Sequence, residues 1–129
     1  MGRLLDKVLR EHNLRKVDFT ADYDEQGNRI ETVVSDPAEA NVVSSQAVGD
    51  WRNGYHRILL DIDMPCELIE SSTAGHYHLY IDRLLKWDDY QRLLEALGVA
   101  GVLEPGYVGV SIDRKATYLR LPGVKKEQS

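Results

Sequence analysis

The chain has 129 residues, 43% hydrophobic and 29% charged, with a formal net charge of −5. That length suits one domain able to bury about two-thirds of its unfolded surface, and the composition excludes a chain disordered throughout. One cysteine, Cys66, excludes an internal disulfide framework and a Cys-rich zinc site, and it fits a reduced, cytoplasmic setting. No apolar run reaches the roughly 18–20 residues of a membrane span, and residues 1–13 lack the apolar centre of a secretory signal.

The acidic balance excludes a uniformly basic nucleic-acid coat. Charge is nevertheless uneven. Residues 18–39 hold seven acids and one base, Arg29, whereas residues 114–126 hold five bases and no acid. Such a split suits either a phosphate ligand held on one side or two solvated surfaces.

In chain order, Leu4, Leu5, Val8 and Leu9 recur at helical spacing and predict a helix over 3–12. Residues 17–23 and 29–34 read as a β-hairpin around the turn-rich loop 24–28. Asp36, Pro37 and Glu39 match a helix cap, first position and capping partner, so a helix is expected from 36 to about 47. A loop carrying Trp51 follows.

Three strands are then expected, at 57–63, 66–70 and 76–82, separated by Met64-Pro65 and by the small-residue loop 71–75. Asp88 opens a helix that buries Tyr90, Leu93, Leu94 and Leu97 and ends at Gly98. Pro105-Gly106 suggests a type II turn before a final hairpin, 107–112 with 117–121. The tail from 125 is polar. Together these elements predict an α+β domain over 1–124, a mostly antiparallel sheet with three short helices.

Within 57–63, alternation puts Asp61 and Asp63 on one strand face, about 6.5–7 Å apart along the strand. Both could reach one hard cation, or simply mark an exposed strand end. In 76–82, His76, His78, Tyr80 and Asp82 share the face opposite Tyr77, Leu79 and Ile81. Imidazoles there can contact phosphate, bind a metal or move protons, or serve as a polar sheet face. Ser72, Thr73 and Gly75 form a loop small enough for backbone N–H groups to approach an anion, although the P-loop ending is absent. Asp113, followed by Arg114 and Lys115, suits a third carboxylate beside phosphate-pairing cations, or a turn aspartate. Cys66 reads as a small packing residue.

Together, L-L-D-I-D (59–63), S-S-T-A-G-H-Y-H-L-Y (71–80) and S-I-D-R (111–114) resemble the archaeo-eukaryotic primase superfamily, in its primase-polymerase form. The likeness covers residues 57–121. The 71–82 run also looks like small proteins of actinobacteria and their phages. The resemblance implies that Asp61, Asp63 and Asp113 hold Mg²⁺ or Mn²⁺ and that His78 contacts the nucleotide triphosphate, with His76 its neighbour. By the same likeness, Ser72, Thr73 and Gly75 shape the phosphate loop, and Arg114, Lys115 and Arg120 offset phosphate charge. The expected partners are a nucleoside triphosphate and DNA. Two other functions fit the same residues. One is a non-catalytic accessory protein that meets a host or replication protein through its acidic segment or Trp51. The other is a metal-dependent nuclease or phosphohydrolase.

Overall fold

The apolar residues near the N-terminus do form a helix, α1 (Arg3–Glu11), but only Val8 on it is buried. The computed structural model describes residues 3–20, 29 and 31–125. The fold is α+β, with three α-helices and two antiparallel sheets among the described residues. The chain divides into two compact units, Met1–Asp61 and Ile62–Ser129.

In the first unit, β1 (His12–Val17) begins directly after α1, five residues before the expected strand at 17–23. It lies between β2 (Glu31–Val34) and β3 (Val42–Ala47), antiparallel to both. The expected loop 24–28 lies outside the described residues. Leu14 pairs with Val34 on one side and Val43 on the other, and its side chain is buried with Val8 and Ala47. Asn41 ends β1 by imitating a strand neighbour: its amide oxygen accepts from Val17 N and its amide nitrogen donates to Val17 O, both at 2.8 Å.

The helix expected from 36 to 47 does not form. Its start signal is real but local, since Asp36 Oδ1 accepts from Ala38 N at 2.9 Å and closes a single turn. Val42 and Val43 then enter β3, because β-branched residues beside an unpaired edge of β1 gain more from the ladder than from a helix. The strand expected at 57–63 is also absent. Arg57 N donates to Ser45 O at 3.0 Å, but residues 58–64 make no backbone–backbone hydrogen bond among the described residues.

The second unit contains the elements closest to expectation. β4 (Cys66–Glu70) and β5 (Tyr77–Ile81) pair antiparallel with Leu68 opposite Leu79. α2 (Trp87–Val99) buries Leu94 and half-buries Tyr90 and Leu97, while Leu93 stays exposed. Gly98 lies inside α2 rather than ending it. The reason is close packing, since a Cβ there would stand 3.2 Å from Val108 Cγ2.

The final hairpin is replaced by a helix, α3 (Pro105–Arg114), packed on α2. Pro105 pre-sets the first helical turn. Val108 and Ser111 are buried and Ile112 half-buried, a spacing of three and four that a helix buries together and a strand would split between faces. Lys115 closes α3 in the left-handed region, at φ 60° and ψ 38°.

Candidate phosphate-binding site

The loop between β4 and β5 is closed by its own backbone. Ser71 N donates to His76 O at 2.9 Å, His76 N donates to Thr73 O at 3.1 Å, and Gly75 takes a positive φ of 79° that favours glycine. These turns leave the hydroxyls of Ser72 and Thr73 exposed beside the segment that follows α3.

Arg120 reaches that loop across 48 residues of sequence. Its Nη1 donates to Ser72 Oγ at 2.8 Å and to Val124 O at 3.3 Å, and its Nη2 donates to Thr73 Oγ1 at 3.3 Å. Ser72 Oγ also donates to Val124 O at 3.3 Å. Ser72, His78 and Arg120 line one cavity of about 10 Å³ with Ile69, Glu70 and residues 121–124. That is room for about one water molecule. Among the described residues, Arg120 makes no ion pair, and its half-buried side chain meets the neutral oxygens of Ser72, Thr73 and Val124. A cation held by hydroxyls and a carbonyl retains its attraction for an anion, and its planar fork matches a phosphate.

Four of the residues singled out from sequence for phosphate contact therefore meet: Ser72, Thr73, His78 and Arg120. Gly75 shapes the same loop. His76 is exposed at the loop's end and does not line the cavity. Arg114 lies elsewhere, its guanidinium 3.7 Å from the centre of the Tyr118 ring. Lys115 lines an open groove of about 320 Å³ with Leu85, Trp87, Tyr90, Ala116 and Thr117. Beside these residues, Tyr90 Oη and Thr117 Oγ1 are 2.7 Å apart, and burial pushes the Tyr107 phenol above its ordinary value, against a hydrogen bond from Thr117.

The acids are placed differently from the strand-end picture. Asp61 and Asp63 are exposed and lie outside any strand, and Asp82 is exposed just past β5. Asp113 sits in the last turn of α3 rather than at the end of a strand, a correction that follows from the helical burial of Val108 and Ser111. Among the described residues, no three His, Cys, Asp or Glu side chains gather closely enough to share a metal ion. Among those residues also, no helix is long and apolar enough to cross a membrane.

A polar cluster in the first unit was not legible from sequence. His12, buried, sits with Nδ1 2.7 Å from Ser44 O and Nε2 3.1 Å from Arg57 Nη1, while Arg57 Nη2 lies 2.9 Å from Glu11 Oε1. A carbonyl only accepts and a guanidinium only donates, so His12 is the neutral tautomer with its proton on Nδ1. Glu11 is held below the usual carboxylate value, chiefly by the Arg57 hydrogen bond, with Arg52 adding to it.

No protein-family model, curated protein or solved structure matches the chain.

Proposed function

We propose that the chain binds a nucleoside triphosphate, as a minimal domain of the primase-polymerase type, with Arg120 as the principal phosphate contact. The observation that supports this reading is the Arg120 guanidinium bridging the Ser72 and Thr73 hydroxyls beside His78. A phosphate would take over both guanidinium donors and free the two hydroxyls to donate to it in turn. His78 would add a third donor from β5. Mg²⁺ or Mn²⁺ would enter bound to the triphosphate, with Asp63, an exposed carboxylate of the same unit, as a hard oxygen donor for it.

Calorimetric titration of the purified protein with a deoxynucleoside triphosphate and Mn²⁺ tests the reading. Arg120→Ala should weaken binding about 10–100-fold, the loss of one charge-assisted pair of hydrogen bonds. An Asp63→Asn variant should weaken the Mn²⁺ dependence and keep metal-free phosphate affinity. Undiminished affinity in Arg120→Ala, or no affinity in the unaltered protein, would sink the proposal.

A second reading, a protein-binding accessory factor, is favoured by a separate observation. Trp51 is 72% exposed and meets Tyr55 edge-on at 5.8 Å on one turn of the first unit. Exposed aromatic pairs of this kind anchor protein interfaces. A well-folded protein with no nucleotide affinity in the same titration would favour this reading over the first.

A further inference from the structure

Residues directly opposite each other in an antiparallel pair share a sheet face. The β4–β5 register therefore sorts the hairpin into two unlike faces. Glu67, Ile69, His78 and Tyr80 make one. Ile69 and His78 on it are half-buried and line the cavity closed by residues 120–124. Cys66, Leu68, Glu70, Tyr77, Leu79 and Ile81 make the other. On that face Leu68 is 64% exposed, Tyr77 59%, Leu79 48% and Ile81 43%, and Cys66 is exposed as well.

This inverts the usual arrangement, in which the apolar face of a strand is buried and the polar face wet. A two-stranded hairpin is marginally stable by itself and gains its stability from a covered apolar face. We propose that the apolar face of β4–β5 is the contact between two copies of this chain, packed face to face about a two-fold axis.

Size supports a second copy as the occupant. The five apolar side chains offer about 500 Å² per copy at about 100 Å² each, so a pair would bury about 1,000 Å², below the roughly 1,200–2,000 Å² of a stable interface and at the threshold for a weak, concentration-dependent one. Charge supports it too. A two-fold contact sets a patch against itself, which a charged patch resists and this one permits. Glu70, at one end, is the only charged residue that the two strands place on that face. Each copy carries a formal net charge of −5, so the pair is opposed by long-range repulsion. Its affinity should rise with salt, whereas a contact with a basic partner would weaken.

Sedimentation velocity on the whole chain, from about 1 to 300 µM, tests the proposal against these interface sizes. The mass should double from 14.7 kDa as concentration rises, and the dimer should strengthen at high salt. Leu68→Glu and Leu79→Glu should each return the monomer with an unchanged far-ultraviolet circular dichroism spectrum. Should either variant misfold, the unaltered chain still decides the matter. Alkylation of Cys66 should slow as concentration rises through the dissociation range. A monomer at every concentration, a dimer that survives both substitutions, or Cys66 reactivity indifferent to dimer formation would each overturn it.

Discussion

Arg57 donates one nitrogen to His12 and the other to Glu11, and the first of these bonds settles which ring nitrogen of His12 carries the proton. The guanidinium is thus the shared partner of a buried imidazole and a carboxylate on neighbouring elements. Arg57→Ala should destabilise the first unit by about 1–3 kcal/mol, because His12 Nε2 is left buried without a donor. Arg57→Lys should recover part of this, since an ammonium lacks the fork that serves both acceptors at once. Urea unfolding followed by Trp51 fluorescence reads the change. Equal stability in all three proteins would remove the cluster's structural role.

Acid and alkali should act on different parts of the chain. Glu11 has a lowered value in the folded state, so its contribution is present above the ordinary carboxylate value and is lost as pH falls through the lowered one. Tyr107 has a raised value, so its contribution is present below about pH 10 and is lost as pH rises through the raised one. Glu11→Gln should flatten the acid limb of a stability–pH curve and leave the alkaline limb alone. Tyr107→Phe should do the opposite. A single variant that flattened both limbs would contradict this division.

The packing of α2 on α3 depends on an absent side chain. Gly98→Ala gains helix propensity of about 1 kcal/mol but sets a methyl against Val108. With Val108 buried and the contact at 3.2 Å, crowding should cancel that gain. Val108→Ala opens a cavity, and Gly98→Ala in that background should be stabilising. A double-mutant cycle on the thermal midpoint should show coupling of about 0.5–1 kcal/mol. Strict additivity would show that the two residues do not limit each other.

The β4–loop–β5 segment and α2 were legible in the sequence because their signals act between near neighbours. Alternation, a small-residue loop and a four-residue helical repeat all lie within about 15 residues. The grouping of Ser72, Thr73, His78 and Arg120 by chemistry was legible as well, since a hydroxyl loop, an imidazole and a basic strip are each compositional features. Their meeting was not, because Arg120 reaches Ser72 across 48 residues.

Residues 36–47 and 107–112 show what only the tertiary structure decided. Both carry local signals that fit their sequence reading: a helix cap at Asp36, and Pro-Gly before an apolar alternation at Tyr107. The second half of the first became strand because β1 offered an open edge to Val42 and Val43. The second became helix because α2 offered a surface that Val108 and Ser111 reach together only at helical spacing. His12, Arg57 and Glu11 follow the same rule, for sequence spacing carries no trace of a hydrogen bond across 45 residues. Local propensity amounts to tenths of a kcal/mol per residue, whereas burying one apolar side chain contributes about 1.5–3 kcal/mol. Sequence therefore determined which residues pair polar with polar and apolar with apolar. Which neighbour each one met was decided by the tertiary fold, where the larger free energy lies.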